Sequence, residues 1–197
     1  MTSAPALARR PDTPLADLAE RMLLAAAPPP LVAHCHRTYA YAEAILHRRG
    51  LRPDREALFL GAALHDLALT PAWEHPSTPF EEHGAAVAHE ALVRHGAPAE
   101  LAGLVHDAIR LHLGLTTGDD HRPEVAGVHL GSAADVLGLR LDEIPDETLD
   151  LVLETHPPTG LAPFLRDAFT REARHKPHCT TAVLVRDFNL LDMLRHA

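Results

Sequence analysis

Aromatic residues make up only 4% of this 197-residue chain. Alanine and leucine abound instead, which points away from a sheet rich in valine, isoleucine and tyrosine and toward helices packed through small and medium side chains. Cysteine is nearly missing. Cys35 and Cys179 stand far apart without the spacing of a secreted disulfide framework, so a reducing cytoplasm is the expected setting. Positive charge is also short: a formal charge of −9 and a pI near 5.9 leave no basic stripe, and nucleic acid is not an expected partner. Long apolar runs are absent too. Leu15 to Ala27 is broken by Asp17, Glu20 and Arg21, so neither a signal peptide nor a membrane span is expected.

What the chain does have is a hydrophobic fraction of 46%, enough for a real core, and a length that suits one domain. It also has 16 histidines, most of them between His34 and His129. Such an excess raises the case for a metal site without locating it.

Proline and glycine divide the sequence into helix-length pieces. Pro14 to Ala27 ends at Pro28-Pro29-Pro30, and Leu31 to Arg49 stops at Gly50. A third helix is predicted from Pro53-Asp54 to about Leu69, followed by a loop from Thr70 to Pro79. Phe80 to His95 closes at Gly96, and Pro98 opens a fifth helix carrying His106 to His112. After a loop from Leu113 to Arg122, further helices are predicted over Pro123 to Leu139, Pro145 to Glu154, Ala162 to Ala173 and Thr180 to His196. The expected architecture is an all-α, single-domain helical bundle. Residues 1–29 form a lead-in of one helix and a proline run, and residues 30–197 form the main domain.

Chemistry concentrates in three of these pieces. His65 and Asp66 interrupt the apolar stretch ALHDLALT. His34 lies among Leu31, Val32 and Ala33 and shares a helix face with Thr38 and Tyr41, while Asp135 sits inside the apolar run GVHLGSAADVL. A buried carboxylate needs a partner, because an unpaired charge in an apolar interior costs several kcal/mol or takes up a proton. Two imidazoles and two carboxylates satisfy one another by sharing a divalent cation, and that donor set suits Zn²⁺, Fe²⁺, Mn²⁺ or Co²⁺ better than Mg²⁺ or Ca²⁺.

His34, His65-Asp66 and Asp135 together resemble the H…HD…D signature of the HD-domain metal-dependent hydrolase superfamily. The segments HCHRTY (34 to 39), LHDLALT (64 to 70), FEEHGAAVA (80 to 88), AIRLH (108 to 112), RPEVAGVHLGSAADVLGL (122 to 139) and RHKPHCTT (174 to 181) are similar to those of its cyanamide hydratase-like subgroup. The likeness covers most of the chain from about residue 30. Two positions depart from it: Ala68 stands where the subgroup has glycine, and Pro79 where it has a basic residue.

The resemblance implies an HD-type bundle with His34, His65, Asp66 and Asp135 around one divalent transition metal, Zn²⁺ first among the candidates. Superfamily members with two metals add a histidine four residues before a GA pair. Phe80 holds that position here and His112 alone holds the other, which favours one metal. The implied reaction is hydrolysis or hydration of a small molecule by metal-activated water, as in nitrile hydration. Asp66 is then both ligand and proton acceptor, and His112 is either a proton donor or substrate contact or a solvated histidine at a helix end. Arg37 either orients substrate or pairs with a carboxylate, and Thr70 and Trp73 are candidate pocket walls. Most other histidines, among them His83, His89 and His129, are expected at the surface or in packing, and a nucleophilic Cys35 is disfavoured. The alternatives are an HD-type phosphohydrolase, with Arg37 and Arg110 as its only nearby cationic clamps, and an inactive ligand-binding module. Oligomeric state stays open.

Overall fold

The computed structural model describes residues 8–194, and among them every regular element is helical. In chain order the helices are α1 (Pro14–Ala26), α2 (Pro29–Arg48), α3 (Arg55–Leu64), α4 (Phe80–Arg94), α5 (Ala99–Leu111), α6 (Pro123–Leu137), α7 (Asp146–Thr155), α8 (Leu161–His175), α9 (Thr180–Asp187) and α10 (Leu190–Met193). Local chemistry explains the boundaries. Thr13 caps α1 by accepting from the Ala16 amide at 3.1 Å, and Asp54 caps α3 by accepting from Glu56 and Ala57. Pro14 and Pro123 open α1 and α6, where a missing N–H costs nothing. At the end of α6, Gly138 takes a left-handed conformation at φ 73°, which a side chain would strain.

The expected third helix differs most. It stops at Leu64; His65 caps it, Asp66 leaves helical geometry at φ −109° and ψ 6°, and Leu67–Leu69 forms a separate 3-10 turn. Apolar spacing continues across the break because every residue from Ala57 to Thr70 is buried, so periodicity carries no sign of it. The last expected helix is also split: Asn189 adopts a left-handed conformation between α9 and α10. His196, its expected end, lies outside the described residues.

Helix α3, buried from Ala57 to its end, runs through a core that it shares with Leu18 and Leu23 of α1, Leu31 of α2, Leu92 of α4, Val105 of α5 and Val128 of α6. A second cluster joins Phe80 and Val136 to Leu165, Phe169 and Leu190. A third packs Tyr41 and Ile45 against Leu130 and Val152. No helix among the described residues is long and apolar enough to cross a membrane.

Helices α2 and α6, which carry His34 and Asp135, lie in close contact. Gly131 makes this possible, since a Cβ there would fall on the carbonyl oxygen of Thr38 and stand 3.0 Å from the amide nitrogen of Ala42. Backbone cannot rotate aside as a side chain can. Gly131→Ala is therefore expected to destabilise the chain by at least about 1–3 kcal/mol, lowering the thermal midpoint by roughly 2–4 °C per kcal/mol. Thermal unfolding measures this directly, and an unchanged midpoint would contradict the close approach.

Candidate metal centre

The His65-Asp66 break after α3 brings two side chains beside the face of α2 that carries His34. His34 and His65 are fully buried and Asp66 is 3% exposed. The Nε2 atoms of His34 and His65 stand 3.1 Å apart, and Asp66 Oδ2 lies 3.5 Å from the first and 3.4 Å from the second. These three residues form a buried group whose donor atoms can close on one metal ion.

The other nitrogen of each ring is anchored by an oxygen. His65 Nδ1–H donates to the Ala62 carbonyl at 2.9 Å, and His34 Nδ1–H donates to Asp135 Oδ2 at 2.6 Å. His112, at the C-terminal cap of α5, repeats the pattern by donating from Nδ1 to the Ile109 carbonyl at 2.7 Å. Its Nε2 stands 3.5 Å from Asp66 Oδ1. A carbonyl or carboxylate oxygen can only accept, so each neutral ring keeps its proton on Nδ1 and presents an Nε2 lone pair toward Asp66. Lone pairs converging around a carboxylate repel unless a cation lies among them. The arrangement is that of metal-binding histidines, whose second ring nitrogen is anchored by an oxygen.

The charges fit the same picture. Burial works against protonating His34, yet Asp135 and Asp66 raise its pKa to about 9. Burial lowers the His65 pKa to about 3 and keeps that ring neutral. Burial alone would raise the Asp66 carboxyl, but His65, His112 and His34 hold it well below the ordinary range. Asp66 Oδ1 is buried and accepts no hydrogen bond, an orphaned anionic oxygen at the edge of the group.

Asp135, expected as the fourth ligand, lies outside the three-residue group. Its oxygens meet Arg37 Nε at 2.6 Å and Nη2 at 2.8 Å, as well as His34 Nδ1. The fully buried Arg37 also donates from Nη1 to the His156 carbonyl at 2.9 Å. Of its two expected roles, the structure thus displays carboxylate pairing. Asp135→Asn turns an NH₂ toward one of these donors and is expected to weaken metal binding by about 10–100-fold. Competition with a chromophoric chelator measures the change.

Thr70 and Trp73, the expected pocket walls, are not among the residues that line the cavity at Asp66 and His112. Thr70 is fully buried and donates to the Leu67 carbonyl at 2.7 Å, securing the 3-10 turn, and Trp73 packs against the core. A cavity reaches the site from between α5, α6 and the C-terminal helices. Asp66 and His112 line it together with His129 and Ser132 of α6. His129 donates from Nδ1 to the His112 carbonyl at 2.7 Å, holding that residue from behind. Sequence reasoning placed His129 in packing or at the surface, although its i, i+3, i+7 relation to Ser132 and Val136 marks one helix face.

Phe80, in place of a possible extra ligand, is fully buried with its ring 5.7 Å from that of His112, centre to centre. His83 lies beside His75 at 4.8 Å, measured the same way. Cys35 is 1% exposed, and burial together with Asp66 and Asp135 raises its thiol well above the ordinary value, against a nucleophilic role. Neither a protein-family model nor a curated protein sequence matches this chain.

Proposed function

We propose that this chain is a hydrolase or hydratase of the HD type, similar to cyanamide hydratase, with one divalent transition metal held by His34, His65 and Asp66. The observation that carries the proposal is the set of rings anchored through Nδ1, with Nε2 atoms gathered at an ionised, buried carboxylate. Two neutral nitrogens and one carboxylate suit Zn²⁺ and leave coordination positions for water and substrate. When bound, the metal supplies a water acidified toward neutral pH and polarises the group under attack.

The chain's own residues do the rest. Asp66 Oδ1, free of hydrogen bonds, accepts a proton from the attacking water. His112, 3.5 Å from that oxygen, relays the proton to the nitrile nitrogen as the C–O bond forms, or to the leaving group in a hydrolysis. Asp135 fixes the His34 ring, and Arg37 fixes Asp135. The phosphohydrolase alternative lacks its clamps, because Arg37 is committed to Asp135 and His156, and Arg110 is exposed and does not line the cavity.

The test combines metal analysis with a paired activity screen in Zn²⁺, Mn²⁺, Co²⁺ and Fe²⁺. About one equivalent of metal is expected, with urea formed from cyanamide or amide from an organic nitrile. Phosphate release from nucleoside monophosphates without hydration would overturn the reaction class. Two equivalents of metal would overturn the mononuclear centre, and no bound metal would return the chain to a binding module.

A further inference from the structure

The cavity that ends on Asp66 and His112 has a volume of about 260 Å³. Its walls are apolar: Val136 of α6, Phe169 of α8, Leu184 of α9 and Leu190 at the start of α10. Its mouth is apolar as well. Leu115, Leu139, Phe188 and Met193 all line it, and each is exposed, at 69%, 46%, 47% and 46%. These are half of the eight exposed large hydrophobic residues among those described, gathered at one opening. Scattered exposed leucines need no explanation, but a ring of them around a cavity does. No lysine or arginine is among the lining residues, and the polar end holds the buried, unpartnered Asp66 Oδ1.

We propose that the cavity takes an uncharged small molecule with one polar reactive head and an apolar body the size of an aromatic ring or branched alkyl chain. The head lies at Asp66 and His112, and the body lies against Val136, Phe169 and Leu190. An apolar cavity of about 150 Å³ holds benzene, so the volume here accommodates a ring with a short head group. Cyanamide fills little of it and buries no apolar surface, whereas an arylalkyl nitrile gains from every wall. A phosphate or carboxylate head would find the proposed metal as its one cation, beside the Asp66 carboxylate, with no lysine or arginine in the cavity lining to hold it. The inference rests on the hydratase reading for the identity of the head group, while the cavity's preference for an apolar body stands on its lining.

Calorimetric titration of the metal-loaded protein with phenylacetonitrile, cyanamide and phenyl phosphate separates the two. Phenylacetonitrile is expected to bind at least about tenfold more tightly than cyanamide, with a negative heat-capacity change, and more tightly than phenyl phosphate. Ala133→Phe, which fills the cavity from a half-buried position on α6, is expected to weaken phenylacetonitrile binding about tenfold or more, with metal content unchanged. Leu139→Ser at the exposed mouth provides a second variant that leaves the core intact, and a weakening of a few-fold is expected. Cyanamide or phenyl phosphate binding best, or neither variant affecting phenylacetonitrile, would overturn the proposal. Binding of phenylacetonitrile without amide formation would leave the cavity assignment standing and remove the hydratase reading. Cyanamide turnover unaffected by Ala133→Phe, with no phenylacetonitrile binding by the unsubstituted protein, would do the reverse.

Discussion

Asp66→Ala is expected to purify without stoichiometric metal and to lose activity on the order of 10³-fold or more. The carboxylate supplies the only anionic oxygen in the three-residue group, and its second oxygen is the proton acceptor nearest His112. Removing it leaves His34 and His65 as two neutral donors, too few to hold a divalent ion against water. Asp66→Asn divides the effect. It keeps the shape and one oxygen donor but loses the negative charge and the basic oxygen, so residual metal at high supply with activity still absent is expected. Metal analysis and turnover on the same preparations read both quantities, and circular dichroism checks that the helices persist. Full metal occupancy in Asp66→Ala would sink the proposed centre.

The path from sequence to this centre was uneven. Helix boundaries marked by chemistry were legible: Pro14 and Pro123 open helices, Gly96 follows the end of another, and the all-helical class follows from a chain rich in alanine and leucine and poor in aromatics. The break at His65-Asp66 was not legible, because neither proline nor glycine marks it and burial continues on both sides. His34, His65 and Asp66 could be singled out as ionisable groups in apolar company. Their division of labour with Asp135 could not. Which nitrogen of His34 meets which carboxylate depends on how α2 and α6 turn against each other, and that is set by the contact at Gly131, not by spacing along either helix. The cavity walls were equally hidden. Leu184 and Leu190 reach it only because Asn189 turns the chain between α9 and α10, whereas an unbroken final helix was expected.

Arg37→Met is expected to unfold at a temperature lower by roughly 6–20 °C, because it leaves Asp135 buried with only His34 as its partner. Arginine at this position donates twice to Asp135 and once to the His156 carbonyl while fully buried. Breaking a buried pair from one side typically costs about 3–5 kcal/mol, since an uncompensated charge remains in a medium that solvates it poorly. For a chain of this length each kcal/mol shifts the midpoint by about 2–4 °C. The double variant Arg37→Met/Asp135→Leu removes both charges and is expected to recover much of the lost stability. It also leaves His34 Nδ1–H without its acceptor, so metal affinity stays low even where stability returns. That divergence identifies what the pair does: Arg37 holds Asp135, and Asp135 aims His34. A substrate clamp would behave differently, raising KM with the unfolding midpoint unchanged. Thermal unfolding of the two variants beside chelator competition therefore tests both the ion pair and its link to the metal centre.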